Sequence, residues 1–240
     1  MDRLKGKIVL IAGAAGAVGA AVADAVRKHG GAAITSDLAG TKADYDLDVT
    51  AEGDWQRVGA DILRKHGRLD GLVNAAGVAK LGNIEDTDFE SWRKILAVNL
   101  DGTFLGCKHA FALLKAKGGS IVNLSSVLGL VGGPNFLAYN ASKGGVRLLT
   151  KSIALHGARL DPPVRCNSIH PAFLEGPMVD GVLAATDHPD GARARITRDI
   201  PLGRFGTAVE VADMCVYLLS DESRYVTGAE FIIDGGLTAR

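Results

Sequence analysis

Apolar positions along the chain follow two alternating rhythms. Short, nearly continuous runs of Val, Ile and Leu occur at "KIVLIAG" (Lys7 to Gly13), "AAITSD" (Ala32 to Asp37), "LDGLVNAAG" (Leu69 to Gly77), "GSIVNLSS" (Gly119 to Ser126), "VRCNSIHP" (Val164 to Pro171) and "EFIIDGG" (Glu230 to Gly236). Runs of this kind read as strands buried on both faces. A further short strand is expected just before "DLDVT". Between the runs lie helical patterns, among them "GAVGAAVADAVRKHG" and "DWQRVGADILRKHG". Both close on Lys-His-Gly, a basic last turn followed by a C-cap glycine. Two longer helical patterns cover residues 89–117 and 136–158, and the last covers 208–219.

Strand followed by helix, repeated, predicts one α/β domain over residues 1–240. Its architecture is a Rossmann-type, doubly wound parallel sheet of about seven strands with helices on both faces and right-handed crossovers. No linker, repeat or low-complexity tract divides it. Residues 173–200, after the sixth strand, are expected to form a lid. Ligands of such sheets bind beyond the carboxyl ends of the strands. That rule singles out Gly13 to Gly19, Asp37, Asn74 to Gly77, Ser125 to Gly133 and Pro171 to Met178, each rich in glycine or polar groups.

Composition narrows the partners. Lys plus Arg equals Asp plus Glu at 27 each, and aromatic residues make up only 5%. Neither a nucleic-acid backbone nor an anionic membrane is favoured. The 47% hydrophobic and 22% charged contents are those of an ordinary soluble globular domain. Cys107, Cys166 and Cys215 are too widely spaced for a metal-type pair and read as reduced core thiols. The apolar run in "MDRLKGKIVLIAG" is too short for a signal peptide, and no segment has the roughly 18 apolar residues of a membrane span. The expected location is the cytoplasm, and no metal site is expected.

The turn "AGAAGAVG" (Ala12 to Gly19) follows the first strand and opens a helix. Glycines allow a tight turn and let a pyrophosphate approach the free N–H groups at the helix start. The same small residues also suit close packing of a helix on a sheet. Asp37 ends the second strand about 20 residues after the glycines, where an acid bonds both ribose hydroxyls of an adenosine. A 2′-phosphate would meet it with like charge, and Leu38 and Ala39 follow rather than Arg or Lys. The expected cofactor is therefore NAD, with Asp48 and Val49 flanking the adenine.

Tyr139 and Lys143 stand four positions apart, on one face of a helix. A phenol titrates near pH 10, so service as a base near neutrality needs a shift of about 2–3 units, or roughly 3–4 kcal/mol. An ammonium about 5 Å away supplies on the order of 3 kcal/mol at an effective dielectric of about 20. One lysine is about sufficient.

With "NAAG" (Asn74 to Gly77), "VNLDGTF" (Val98 to Phe104), "SSVLG" (Ser125 to Gly129), "YNASK" (Tyr139 to Lys143) and "YVTGAEFIIDGG" (Tyr225 to Gly236) in order, the chain resembles the short-chain dehydrogenase/reductase family from about Leu4 to Leu237. The resemblance implies four catalytic residues. Tyr139 exchanges a proton with the substrate oxygen, Ser126 holds that oxygen, and Lys143 lowers the tyrosine's pKa and bonds the nicotinamide ribose. Asn99 holds a water that links Lys143 to solvent. It also implies a cofactor site made from Gly13, Gly16, Ala17, Val18, Gly19, Asp37, Asp48, Val49, Asn74, Ala75, Ala76, Gly77, Tyr139, Lys143, Pro171, Leu174 and Gly176.

Four positions depart from the family pattern. Ala12 stands for the usual Thr, and Ala17 for the second glycine, with Gly16 one residue early. Ala172 stands for Gly, and Gly176 for the Thr that precedes "PM". All four lie in the cofactor turns, and the loss of the Thr hydroxyl implies slacker NAD binding, by about 0.5–1.5 kcal/mol for one neutral hydrogen bond.

Ser126, Leu128, Phe136, Tyr139, Phe173 and Met178 are expected to line a pocket for a hydrophobic secondary alcohol or ketone, alicyclic or steroid-like. Arg193, Arg195 and Arg198 either form a solvated helix face or hold an anionic substrate. His170 and His188 read as structural or surface residues. Two alternatives remain: a 3-oxoacyl-thioester reductase using NADPH, and a non-catalytic dinucleotide-binding sensor or scaffold. The family resemblance implies a homotetramer built through the two long central helices and the C-terminal segment. Gly144 and Gly145 serve either that helix contact or packing within the chain.

Overall fold

The computed structural model describes residues 2–239. Seven strands form one wholly parallel sheet: β1 (Ile8–Ala12), β2 (Ala32–Asp37), β3 (Tyr45–Asp46), β4 (Gly71–Asn74), β5 (Gly119–Leu124), β6 (Val164–Pro171) and β7 (Glu230–Ile233). Their spatial order is β3-β2-β1-β4-β5-β6-β7. The order reverses between β1 and β4, so the crevice beyond their carboxyl ends is the topological switch point at which such sheets bind ligands.

Because strand side chains alternate between faces, neighbouring residues of one run build opposite halves of the core. Val9 and Ile11 pack with Val22 and Val26 of α1 (Ala17–Lys28) and with Val211, Cys215 and Val216 of α8 (Ala208–Leu219). Leu10 and Leu72 point the other way, onto Trp55, Val58 and Ile62 of α2 (Glu52–His66) and Leu114 of α4 (Gly102–Leu114). Each such side chain contributes about 1.5–3 kcal/mol on full burial. This explains why the strands read as continuous apolar runs.

Three strands stop two or three residues before the carboxyl ends of their predicted runs: β4 at Asn74, β5 at Leu124 and β7 at Ile233. The helical pattern over 89–117 resolves into α3 (Phe89–Leu96), a π turn (Ala97–Asp101) and α4. Such bulges re-aim side chains and concentrate at functional sites. Here the bulge carries Asn99, which is fully buried. The second long pattern is α5 (Leu137–Gly157). A methyl on Gly145 would stand 2.8 Å from Leu100, whereas one on Gly144 meets nothing closer than 3.9 Å. Gly145 therefore serves packing of α5 on the π turn within the chain.

Residues 173–200, expected to form a lid, carry α6 (Pro177–Ala184) and α7 (Pro189–Asp199), which pack over a small core of Leu183, Ile200 and Phe205. The strap leading into α6 is tied down twice: Glu175 N donates to Gly206 O (2.9 Å) and Gly206 N to Phe173 O (3.0 Å). Among the described residues, no helix is long and apolar enough to cross a membrane, and no cluster of His, Cys, Asp or Glu is placed to hold a metal.

Candidate active site

The β1–α1 turn needs glycine at two places. Gly13 has φ +85°, and a methyl on it would stand 2.4 Å from Ala76 N. A methyl on Gly19 would stand 2.1 Å from Gly13 O. Gly16, by contrast, has an ordinary φ of −74° and open surroundings. Helix α1 begins at Ala17 with neither a capping side chain nor an acid in its first turn. Its positive end is thus open to an anion, with Ala17 exposed and Val18 half-buried beside it. At the end of β2, Asp37 Oδ2 accepts from Ala15 N (2.7 Å) and Oδ1 from Leu38 N (2.8 Å). This fixes the carboxylate at the rim of the same turn with lone pairs to spare. The residues present fit a nicotinamide dinucleotide.

Not every expected cofactor residue faces the crevice with its side chain. The Asn74 amide donates to Asn123 Oδ1 (2.8 Å) within the core, leaving only its backbone and that of Ala75, Ala76 and Gly77 at the crevice. Asp48 is occupied by Thr50, whose N–H and hydroxyl donate to its Oδ1 at 2.9 and 2.7 Å. Val49 is buried, and its carbonyl accepts from the Trp55 indole (3.0 Å). Pro171 is buried at the end of β6, and Leu174 bridges to Gly206.

The two serines after β5 have different tasks. Ser125 Oγ donates to Lys143 O (2.9 Å) and so ties the loop to α5. Ser126 Oγ accepts from Leu128 N (3.1 Å), caps the short turn Val127–Gly129, and donates to Pro171 O at 3.3 Å. It also stands close enough to the Tyr139 phenol to favour its ionised form. Lys143 Nζ lies 5.6 Å from the centre of the Tyr139 ring and donates to Leu124 O at 2.7 Å. Asn99 locks the loop after β4: its Oδ1 accepts from Val78 N (2.8 Å), and its Nδ2 donates to Val78 O (2.9 Å) and Ser142 Oγ (3.1 Å). A methyl on Gly77 would touch both Asn99 Oδ1 (3.4 Å) and Lys143 Nζ (3.5 Å). Asn99 and Lys143 therefore meet beside Gly77, with the Tyr139 ring next to the lysine.

The electrostatics of the site add a contribution that spacing alone does not carry. Burial pushes the Tyr139 phenol up to about 12, and the Ser126 hydrogen bond offsets only part of this. Burial likewise pushes the Lys143 ammonium down to about 8. The tyrosine side chain as a whole is half-buried, and the protein packed around the phenol is what raises its titration. The desolvation that accompanies the pairing was invisible in a four-residue spacing. The Asn99 carboxamide is bonded to Val78 and Ser142, and its backbone carbonyl accepts from Thr103 Oγ1 (2.7 Å). It positions the loop, and a further group could reach it only by donating to one of its two oxygens, each of which accepts a bond here.

An apolar cleft of about 520 Å³ opens beside these groups, between residues Gly77 to Leu81 and Pro177, Met178, Gly181, Val182 and Ala185. Met178 was expected there, but Val78, Leu81 and Val182 were not. Phe136 packs its ring 6.3 Å from that of Tyr139, while Phe173 packs on Phe205 at 5.8 Å in the small core under α6 and α7. Half-buried Leu128 lies in the loop after Ser126. Arg193 is held by Glu175 (2.5 and 2.6 Å) and lies over Phe205, so it is not free for an anionic substrate. Exposed His188 stands just before α7.

Residues 10–238 match the family model described as "Enoyl-(Acyl carrier protein) reductase". The chain is 38% identical over 257 residues to the NADP-dependent (R)-specific alcohol dehydrogenase of Lentilactobacillus kefiri, covering 100% of this chain and 99% of that protein. It is 38% identical to the cyclopentanol dehydrogenase of Comamonas testosteroni, covering 100% of both. It is 39% identical to the 3-alpha-(or 20-beta)-hydroxysteroid dehydrogenase of Mycobacterium bovis, covering 99% of this chain and 91% of that one. Among solved structures, the ligand-free aldohexose dehydrogenase of Thermoplasma acidophilum superposes with a TM-score of 0.90 at 32% identity, covering 100% and 96% of the two chains. With its seven-stranded parallel sheet and the Ser126, Tyr139 and Lys143 side chains gathered beside the switch point, the chain belongs to the short-chain dehydrogenase/reductase family and is an oxidoreductase of that family.

Proposed function

We propose that the protein interconverts a hydrophobic secondary alcohol and its ketone, with NAD as the preferred cofactor. The observation that carries this reading is the placement of Ser126, Tyr139 and Lys143 beside a cleft lined by Val78, Leu81, Met178 and Val182. A bound nicotinamide dinucleotide supplies the two-electron acceptor or donor for the carbinol carbon. Tyr139 takes the hydroxyl proton during oxidation and returns it during reduction. Ser126 turns its hydroxyl from Pro171 O to the reacting oxygen and fixes it. Lys143, anchored on Leu124 O, presents positive charge beneath the phenol and bonds the nicotinamide ribose, favouring the tyrosinate when the cleft is filled. At neutral pH the free site holds a protonated phenol, ready to donate to a ketone.

The alicyclic and steroid substrates in the names of the two relatives above fit an apolar cleft of this size. The Asp37 carboxylate supports NAD through repulsion of a 2′-phosphate, although one relative is named as NADP-dependent. Exposed Phe104, Leu148 and Leu155 on the outer faces of α4 and α5 support burial in a homotetramer. Three free cysteines suit the reducing cytoplasm.

Turnover of cyclopentanol, cyclohexanol and hydroxysteroids with NAD and with NADP tests the reading. Tyr139→Phe is expected to remove nearly all turnover while dinucleotide still binds. Asp37→Asn, which keeps an acceptor for Ala15 N, is expected to shift preference towards NADP by about 10-fold or more in kcat/KM, equivalent to roughly 1.4 kcal/mol. Absence of activity on every alcohol and ketone would leave the sensor or scaffold alternative. A strong NADPH preference with thioester turnover would favour the other alternative.

A further inference from the structure

His170 is fully buried near the end of β6, and no step above uses it. Its Nδ1 lies 3.1 Å from the Ser126 carbonyl oxygen, and its Nε2 lies 2.8 Å from Ser168 Oγ. A carbonyl only accepts, so Nδ1 carries the proton. Nε2 is then the acceptor, and the Ser168 hydroxyl donates to it. Burial disfavours the charged imidazolium, which keeps the ring in this single neutral tautomer.

Ser126 is thereby gripped from β6 at two points. His170 donates to its carbonyl, and the carbonyl of the next residue, Pro171, accepts from its hydroxyl. The same Ser126 carbonyl also accepts from Gly129 N at 2.9 Å. Both of its lone-pair directions are used, and the peptide plane cannot rotate without breaking one of the two bonds. Ser126 Oγ meanwhile accepts from Leu128 N inside the turn that Gly129 closes. Orientation of the carbonyl and orientation of the hydroxyl are therefore linked through one short turn.

Building on the oxidoreductase reading, we propose that His170 is a positioning residue for Ser126: its Nδ1–H pins the Ser126 peptide so that the serine hydroxyl is aimed at the reacting oxygen. A buried histidine that only filled space would not need its Nδ1 on that one carbonyl. A residue with an N–H at the same distance from the backbone would replace it, and one with the N–H further out would not. Asparagine and glutamine are those two residues.

The test is a double-mutant cycle with cyclopentanol and whichever of NAD or NADP the wild-type enzyme uses. His170→Gln is expected to lower kcat about 10- to 100-fold with KM for the dinucleotide unchanged within about twofold, and His170→Asn to recover kcat to within about threefold of wild type. In a Ser126→Ala background, His170→Gln is expected to cost less than about twofold, because the hydroxyl it aims is gone. Equal losses in both backgrounds, or an Asn variant as impaired as the Gln variant, would reduce His170 to core packing. If the Gln variant does not fold, nitrogen-15 NMR of histidine-labelled wild-type enzyme decides. The neutral Nδ1-protonated tautomer sustains the assignment, and an Nε2-protonated ring overturns it. A wild-type enzyme without turnover would sink the oxidoreductase reading and this inference together, whereas an active wild type with an additive cycle sinks this inference alone.

Discussion

Gly176 and Ala17 face each other across the cofactor crevice: a methyl on Gly176 would stand 3.5 Å from the Ala17 Cβ. These are two of the four departures from the family pattern, separated by more than half the chain and adjacent in space. The methyl gained at Ala17 lies opposite the side chain missing at Gly176. The strap there has φ +136°, ψ 178° at Gly176, a region that glycine occupies readily and β-branched residues do not.

Restoring the family's residue is therefore expected to be harmful. Gly176→Thr would place a β-branched side chain at a strained φ, at a cost of about 1–3 kcal/mol. For a domain of this size, that corresponds to a fall in Tm of roughly 2–12 °C. The same substitution is not expected to tighten NAD, because the strap must move before the new hydroxyl can reach the crevice. Thermal unfolding and cofactor titration of the variant check both points. A stable variant with tighter binding would show that the strap already accepts threonine.

The glycines of the first turn are expected to separate sharply. Gly19→Ala drives a methyl to 2.1 Å from Gly13 O, backbone that cannot yield without opening the β1–α1 turn. It should cost about 3 kcal/mol or more, the upper end for overpacking, or prevent folding. Gly16→Ala meets only Gly13 O, at 3.4 Å, and has an ordinary φ. Its stability should stay within about 1 kcal/mol of wild type. Urea unfolding of the two proteins is the measurement, and equal effects would contradict this account of the turn.

The fold was legible because its parallel strands are buried on both faces, and burial writes itself as runs of Val, Ile and Leu. β6 was read to the residue, as Val164 to Pro171. The proximity of Tyr139 and Lys143 was legible through motif spacing. What spacing could not carry was orientation. "NAAG" places Asn74 beside the crevice, yet its amide turns into the core to meet Asn123. Nothing local in "PAFLEG" tells that Phe173 will prefer Phe205 to the substrate cleft, because Phe205 lies beyond two further helices. Nor does the Tyr139–Lys143 interval report the desolvation that pushes the phenol up and the ammonium down. The cleft residues Val78, Leu81 and Val182 escaped notice because each sits in an unremarkable apolar or loop context.

Lys143 is expected to leave a signature in stability as a function of pH. Its ammonium titrates near 8 in the folded protein, against 10.5 for an ordinary lysine. Below pH 8 both states hold the proton, and the fold bears the full cost of the buried charge. As pH rises from 8, the folded state loses the proton while the unfolded chain keeps it, so stability rises with pH. Lys143→Met has no such cost to shed. The stability difference between variant and wild type should therefore move by roughly 2–3 kcal/mol in favour of wild type between about pH 7 and pH 10. Comparing the two proteins at each pH cancels the titrations they share, and the window ends below the folded Tyr139 phenol's value of about 12. Parallel urea-unfolding curves across this range would mean that the folded lysine titrates normally. Turnover should be lost in the Met variant at every pH.

Gly181 offers the most direct control over which alcohols enter. It lines the cleft from α6, and a methyl built on it meets nothing within 4 Å, so the added volume projects into open space rather than into the core. Gly181→Leu should fold normally, since exchange of glycine for leucine inside a helix also gains up to about 1 kcal/mol of propensity. Leucine would fill part of the space between α6 and the Val78 to Leu81 wall. Cyclopentanol, which needs little of the cleft, should keep kcat/KM within about threefold, whereas a hydroxysteroid should lose about 10-fold or more, the scale of a few unaccommodated methylenes. The ratio of the two kcat/KM values is the quantity to compare, because a general loss of activity cancels from it. An unchanged ratio would place the substrate elsewhere, between Leu128 and Phe136, and the apolar cleft beside Gly77 would then have no part in choosing it.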